Sequence, residues 1–301
     1  MEDHCDIHKW AEYRPFEQHY ETFEPHVVYT ANKIIDVYYT FASARSYLSD
    51  YECEEFGQII TEHDEIHINF LRSKYLQAAL AHYNYAIDLS WQVLWFYTGD
   101  NSYLFMEKPK LFEKYSTLCT EKRLYFKLRI NKMDDIKEHI SEFFNSDLTQ
   151  EVRETYNYVK HRGSLHTDEI SREHEYYMMS YTENENYFLP RMLTRRKFNL
   201  EEFKDILIDF DISFSDYFQQ IIKWTMPYNY IETKFNMFNC IPRERMKFHF
   251  YEMENYEKLF NEHIKLFYSN DIDSINQNPN KYIKDTNLVG AYYNPRKFKN
   301  I

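Results

Sequence analysis

The sequence predicts a mainly α-helical fold, and three observations support this prediction. The chain of 301 residues is long enough to bury a substantial core, in one large domain or two small ones. It contains only 4 glycines and 8 prolines, too few for many short strands joined by tight turns. Apolar residues also recur at three- and four-residue steps over long stretches, as amphipathic helices require.

Two long helices are predicted in the first hundred residues. The first begins at Pro25, a residue that suits the first turn of a helix, and runs to about Tyr51. The second begins at Glu65 and runs towards Gly99, which is placed to end it. Both segments carry an apolar stripe, so we expect the two helices to pack against each other in antiparallel orientation.

Shorter helices are expected next, within residues 107–128 and 133–146, and after them a well-delimited helix that ends in YNYVKHRG. We name this last segment, residues 148–162, the motif helix. Asp147 is a good N-cap with Gln150 three residues further on, which is the pattern of a capping box. Gly163 stands where the left-handed residue that follows a helix belongs.

Helical periodicity is lost over residues 164–197, where β-forming residues flank a polar TENEN; this predicts an irregular segment or a β-hairpin. A final long helix is expected between its N-cap Asn199 and the terminating Pro227. The predicted organisation is a polar acidic lead-in over 1–23, a helical domain over 24–230, and an irregular C-terminal extension over 231–301.

Several functional classes receive little support from the sequence. No long uncharged apolar run and no signal-peptide pattern occurs, so we expect a cytoplasmic protein without membrane association. The four cysteines lie far apart with no CxxC pair, which argues against a disulfide scaffold or a zinc ribbon. His63 and His67 have the spacing of a helical metal pair, but no third ligand is evident. We therefore predict no metal and no cofactor, and keep a metal-dependent enzyme as a third interpretation.

The net charge of −12 is unevenly distributed. Residues 1–65 contain 15 of the 48 acidic residues and only 4 of the 36 Lys and Arg residues, so the remainder is close to neutral. Two segments are basic, and their cations are Lys122, Arg123, Lys127, Arg129 and Lys132 in the first and Arg191, Arg195, Arg196 and Lys197 in the second. Aromatic residues among the first set could stack on bases, although such clusters also form ordinary solvated surface. The segments flank the motif helix in sequence, which favours a joint patch.

Polar residues of the motif helix have the types that RNA chemistry requires. Arg153, Asn157 and His161 follow one another at four-residue steps, about 40° apart around the helix, and so share one side. Lys160 and Arg162 flank the histidine. An imidazole that moves protons near neutral pH, beside cations that hold a phosphate, is what metal-free RNA cleavage needs. The dipole of a helix also favours cations in its last turn, so plain helix termination is an alternative explanation.

The sequence YNYVKHRG in a helical chain, after long helices that include HYNYAIDLSWQVLW, resembles the HEPN (higher eukaryotes and prokaryotes nucleotide-binding) superfamily over roughly residues 25–230. HEPN ribonucleases usually carry an arginine, commonly followed by Asn, His or Asp, and a histidine four to six residues after the arginine. The resemblance assigns the polar position to Asn157 and the histidine to His161. Tyr156 stands where the arginine is expected, so Arg153, Lys160 or Arg162 would have to replace it.

The resemblance implies a HEPN-like helical bundle that forms a homodimer, with two motif helices in one cleft. It implies RNA or nucleotide binding, with metal-independent endoribonuclease activity of a toxin–antitoxin or phage-defence system and an antitoxin or other protein as partner. His161 would then be the general acid or base and Asn157 would position the substrate. Phosphate would be bound by Arg153, Lys160 and Arg162, with Arg123, Lys127, Arg129, Arg195 and Arg196 adding to the surface. The alternative is a non-catalytic helical interaction protein, in which the motif is degenerate and the acidic N-terminal region binds a basic partner.

Overall fold

The computed structural model describes residues 6–53, 65–99, 105, 108–167 and 196–233, and these are mainly helical, as predicted. Within them the helices are a 3-10 helix Ile7–Tyr13, α1 Glu17–Thr22, α2 Pro25–Asp50, α3 Glu65–Tyr97, α4 Pro109–Thr117, α5 Glu121–Ile130, α6 Asp134–Asn145, α7 Asp147–Arg162 and α8 Leu200–Thr225. The described part of the chain contains no strand beyond an isolated parallel bridge between His166 and Lys197. Most of the predicted irregular segment and nearly all of the C-terminal extension lie outside the described residues.

The two long helices form where the sequence predicts them and are antiparallel. The ring of Phe41 in α2 lies 5.4 Å from that of Tyr83 in α3. At the other end of this contact, the Arg72 Nε donates to the Tyr51 carbonyl oxygen at 3.3 Å. Residue numbers thus rise along α2 while they fall along α3, which confirms the expected orientation.

The chain divides into two compact units, each assembled from segments that are distant in sequence. Unit 1 contains Met1–Tyr39, Ala86–Phe144 and Ser215–Ile301, and unit 2 contains Thr40–Tyr85 and Asn145–Phe214. Helices α2, α3 and α8 therefore contribute residues to both units. Each unit buries large aromatic side chains of its own.

A lysine is buried among aromatic rings in unit 1. Lys127 of α5 is fully buried, and its ammonium group lies 3.9 Å from the centroid of the Trp95 ring. The ammonium donates hydrogen bonds to the Trp95 carbonyl oxygen at 2.9 Å and to the Tyr115 hydroxyl. Burial of a charge costs free energy unless its hydration is replaced, and these oxygens and rings replace it. The lysine thereby joins α3, α4 and α5 at one point.

The N-terminal segment from Ile7 onward is packed into unit 1. The Trp10 indole is fully buried and donates to the Gln219 Oε1 at 3.0 Å. The His19 ring is also fully buried; its Nδ1 accepts the Phe16 backbone N–H at 3.1 Å, so its Nε2 carries the proton and donates to the Tyr230 carbonyl oxygen at 3.0 Å. Burial lowers the pKa of His19. Most of the predicted acidic lead-in is thus part of the folded unit.

Unit 2 is organised around the carboxylate of Asp211 in α8, which is 7% exposed. Arg45 of α2 binds it at two points, with Nη2 to Oδ2 at 2.7 Å and Nε to Oδ1 at 2.9 Å. Tyr83 of α3 donates its hydroxyl to Oδ1 at 2.9 Å. Burial, and then the neighbouring carboxylate, raise the pKa of Tyr83 well above its ordinary value, so the hydroxyl keeps its proton. The Asp211 carboxylate of α8 therefore links this helix to α2 and α3.

We expect Lys127→Ala to lower the free energy of unfolding by about 3 kcal/mol, because the Trp95 carbonyl and the Tyr115 hydroxyl lose a charged donor and the ring contact is lost. Urea unfolding monitored by tryptophan fluorescence measures the change. Lys114→Ala, at an exposed position of α4, is the matched control and should change the free energy by less than about 0.5 kcal/mol. Equal effects of the two substitutions would contradict a stabilising role for Lys127.

Asp211→Ala should cost about 3 kcal/mol of stability, because it leaves the Arg45 guanidinium and the Tyr83 hydroxyl without their shared acceptor. Asp209→Ala removes the same charge from an exposed position of the same helix and should be nearly neutral. Thermal unfolding followed by circular dichroism compares the two variants. If the Asp211→Ala and Asp209→Ala proteins had the same melting temperature, the ion pair of Asp211 would not be a main contribution to the stability of unit 2.

Candidate functional site

The motif helix, α7, and its N-cap both begin one residue earlier than predicted, and the helix ends where predicted. Ser146 is the N-cap, because its hydroxyl oxygen accepts the Thr149 backbone N–H at 3.3 Å; Asp147 is instead the first helical residue. The hydroxyl satisfies a free backbone donor, and the Asp147 carboxylate lies in the first turn, where the helix dipole favours a negative charge. At the other end Gly163 has φ +85°, and its N–H donates to the Val159 carbonyl oxygen at 2.7 Å.

The polar residues of the motif lie at the surface of α7. Asn157, Lys160, His161 and Arg162 are exposed, whereas Arg153 is half-buried. Within the described ranges, no hydrogen bond or ion pair involves the side chains of Asn157, Lys160 or His161. The His161 imidazole is therefore accessible to a ligand and is not a buried structural histidine.

A groove of about 430 Å³ lies between α3 and α7 in unit 2. Its lining consists of Lys74, Gln77, Ala78 and Ala81 from α3 and of Tyr156, Val159, Lys160 and Gly163 from α7. On each helix these positions follow the spacing i, i+3, i+4, i+7, so each set is one helix face. The short side chains of Ala78 and Ala81 leave space that larger residues would fill.

The two ends of the groove differ chemically. Near the end of α7 the Lys74 ammonium donates to the Ser164 hydroxyl at 3.2 Å, and Lys160 adds a second cation one turn further along. At the opposite end the rings of Tyr85 and Tyr156 meet edge to face, with centroids 6.1 Å apart. The groove therefore runs from a cationic end to an aromatic end.

Four residues of YNYVKHRG line the groove, namely Tyr156, Val159, Lys160 and Gly163, and the other four lie beside it. Asn157 does not line it, and His161 stands about 140° around the helix axis from Tyr156, since each residue advances the helix by roughly 100°. The polar stripe and the groove are thus neighbouring faces of one helix end. Tyr156, which departs from the family pattern, belongs to the groove.

Arg196, from the second basic segment, packs along α7. Its backbone N–H donates to the Tyr158 hydroxyl at 2.8 Å, and its guanidinium reaches the Thr155 hydroxyl at 3.3 Å and the Glu151 carboxylate at 3.4 Å. These three partners lie on a side of the helix that does not line the groove. Arg196 therefore fixes its own segment to α7, and Arg195 lies outside the described residues.

The first basic segment lies in unit 1, and its residues have different environments. Lys127 is buried against Trp95, so the expectation that it contributes to an RNA-binding surface is corrected. Arg123 is half-buried and donates to the Leu118 carbonyl oxygen at 3.1 Å, whereas Arg129 is exposed. Lys127 follows the buried Leu124 by three residues, so both lie on the same face of the helix, and this spacing was a sequence signal that Lys127 is buried. A joint patch with the second basic segment stays a prediction.

Three further features suggested by the sequence were a metal pair, the lack of a membrane span and the cysteines. No group of three or more His, Cys, Asp and Glu side chains is arranged there to hold a metal ion, and His63 of the predicted pair lies outside them. No helix in these ranges has the length and apolar character needed to cross a membrane. Neither Cys53 nor Cys119 is in a disulfide, and burial raises the pKa of Cys119 to about 12, so the Cys119 thiol is not a ready nucleophile.

Comparison with known proteins gives no assignment. No family model matches the chain, and neither a curated protein nor a solved structure is significantly similar to it. The resemblance to the HEPN superfamily therefore rests on the residues of the motif and on the order of the helices.

We expect Gly163→Ala to lower the free energy of unfolding by about 1 kcal/mol. A Cβ at this position would meet no atom within 4 Å, so the cost is that of the left-handed backbone alone. Gly163→Asn should cost less, because Asn tolerates this conformation better than Ala. Denaturant unfolding of the wild-type protein and both variants ranks their free energies of unfolding. If Ala were as stable as Gly, the left-handed residue would not contribute to the end of α7.

Proposed function

We propose that this protein binds RNA through the C-terminal end of α7, and that His161 supports metal-independent cleavage of the bound strand. One observation carries the proposal: Asn157, Lys160, His161 and Arg162 are all exposed at one helix end, beside a groove that contains Lys74. An accessible imidazole among cations is a suitable environment for a phosphodiester. The proposal agrees with the HEPN resemblance.

Phosphate binding at the end of α7 is opposed by the partial negative charge of the helix backbone. The carbonyl groups at the end of α7 are the negative end of the helix dipole and repel an anion. Lys160 and Arg162 in the last turn, with Lys74 from α3, place full positive charges against that partial negative charge. No carboxylate lines the groove. The balance at this helix end therefore favours an anionic ligand.

His161 is suited to the proton transfers of RNA cleavage. The 2′-oxygen attacks phosphorus as its proton passes to a base, and the 5′-oxygen leaves as it takes a proton from an acid, which yields a 2′,3′-cyclic phosphate. The motif supplies one histidine per chain for two simultaneous transfers. The homodimer implied by the resemblance would bring the His161 of a second copy, and we include this assembly in the proposal. The cytoplasmic location, the toxin–antitoxin or phage-defence setting and the protein partner belong to the same proposal.

A second candidate is a non-catalytic helical protein that binds RNA or another partner. It is favoured by the absence, within the described ranges, of a carboxylate or carbonyl that orients the His161 ring. A catalytic imidazole usually has such a partner, which fixes its tautomer. Tyr156 in place of the arginine favours the same candidate.

The decisive experiment measures binding and cleavage separately, in EDTA, with a 5′-labelled single-stranded RNA. We expect His161→Ala to lower the cleavage rate by at least about 100-fold, the usual contribution of general acid–base catalysis, while binding is largely kept. Lys160→Ala and Arg162→Ala should each reduce the salt dependence of the logarithm of the binding constant by about 0.7, as expected for one lost phosphate contact.

Lys223→Ala is the matched control, because Lys223 is an exposed cation in the last turn of α8. It should change neither binding nor cleavage. Binding without cleavage by the wild-type protein would support the second candidate. RNA affinity that does not depend on Lys160 or Arg162 would overturn the proposed site.

A further inference from the structure

We infer that the groove between α3 and α7 binds one nucleoside monophosphate unit, with its phosphate at Lys74 and Lys160 and its base at Tyr156 and Tyr85. This inference rests on the proposed function, because it names the ligand held beside the same helix end. It adds a binding site next to the residues proposed for proton transfer and substrate positioning, since Asn157 and His161 do not line the groove.

The size and shape of the groove suit a small ligand. Its volume of about 430 Å³ lies within the range of roughly 300–1,000 Å³ that is typical of small-molecule sites. Ala78 and Ala81 form the α3 side between Gln77 and Tyr85, so the space exists because two consecutive positions of this face are short. A single larger side chain at either position would occupy it.

The cationic end is built to face an anion. The Lys74 ammonium is held by the Ser164 hydroxyl at 3.2 Å and lies 4.9 Å from the Phe70 ring, so its position is restricted before any ligand arrives. Lys160 is exposed on the opposite wall. Two ammonium groups from two helices can contact the oxygens of one phosphate, and no lining residue is acidic.

The aromatic end offers ring surface to a planar group. Tyr85 is 46% exposed, and its ring lies edge to face against that of Tyr156 with centroids 6.1 Å apart. An exposed tyrosine that is fixed in orientation loses little conformational entropy when a base stacks on it. Stacking of one base on an aromatic side chain contributes about 1–3 kcal/mol.

Gln77 supplies a polar group between the two ends. Its side-chain amide nitrogen lies 3.5 Å from the Gly163 carbonyl oxygen, which orients the amide because that oxygen can only accept. The amide oxygen, Oε1, is then buried and has no hydrogen-bond partner among the described residues. A buried acceptor without a donor costs free energy. A rotation of the Gln77 side chain that turns Oε1 towards the groove would let a ligand N–H or O–H group, such as the exocyclic amine of adenine or a ribose hydroxyl, remove this cost.

A nucleoside monophosphate combines these three features in one molecule: an anionic group, a hydrogen-bond donor and a flat ring. The same unit occurs free in solution and as an unpaired residue of single-stranded RNA. The site therefore recognises a nucleoside monophosphate unit, and the test below distinguishes a free nucleotide from a residue of RNA.

The test is isothermal titration calorimetry of the full chain with two probes, 5′-AMP and an adenylate hexamer. Ala81→Leu fills the groove without a change of charge, and we expect it to weaken binding of the responding probe at least tenfold. Ala42→Leu, the same change at a half-buried alanine of unit 2 outside the groove, is the matched control and should leave the affinity unchanged. Tyr156→Ala should weaken binding about tenfold, through the loss of one stacking contact.

Binding of 5′-AMP would identify free nucleotide as a ligand, and binding of the hexamer alone would identify a residue of RNA. Either result supports the site if Ala81→Leu weakens that binding at least tenfold. Affinities that are unchanged by Ala81→Leu, or no binding of either probe by the wild-type protein, would overturn it. If Ala81→Leu did not fold, Lys74→Gln would test the cationic end in its place. The two proposals can fail separately. If RNA cleavage requires His161 but Ala81→Leu does not change the affinity for either probe, the proposed function is supported and the nucleotide site in the groove is not.

Discussion

The carboxylate of Asp211 is the constraint on which unit 2 depends. It is buried, so its charge is tolerable only while Arg45 and Tyr83 both bind it, and these residues belong to two other helices. Tyr83 lies in α3 between Ala81 and Tyr85. The face of α3 that meets Asp211 is therefore fixed by the hydrogen bond from Tyr83 to this ion-paired carboxylate, and this also fixes the direction of the face that lines the groove. The geometry of the candidate site follows from an interaction that contains none of its residues.

Basic side chains in this protein serve three purposes that composition alone does not separate. Lys127 donates hydrogen bonds to a carbonyl and a hydroxyl oxygen inside unit 1, Arg196 attaches its segment to α7, and Lys160 is exposed to solvent. Lys127 and Lys160 differ in whether they lie on the same helix face as the neighbouring buried apolar residues. A cation in phase with buried leucines is drawn into the core when aromatic rings and acceptors replace its water. Counting cations along a segment therefore overestimates the charge that is available to a polyanion.

Local signals in the sequence predicted most of the helices, because periodicity and caps act within one or two turns. Asn199, for example, accepts the backbone N–H groups of Glu201 and Glu202 with its side-chain oxygen, as an N-cap does. The left-handed Gly163 was predicted for the same reason. The groove was not predicted, because it requires knowledge of which face of α3 meets which face of α7. The burial of Lys127 was missed because its partners, Trp95 and Tyr115, come from other helices.

The position of Tyr156 has a consequence for the geometry of any ligand that uses the whole helix end. Because Tyr156 and His161 point in directions about 140° apart, a small rigid molecule that stacks on the tyrosine cannot also reach the imidazole. A flexible polymer can pass around the end of α7, with one unit anchored and a later linkage presented to the histidine. In such an arrangement the helix acts as a spacer, and the distance between anchored unit and reacting bond is set by the circumference of one helix rather than by sequence.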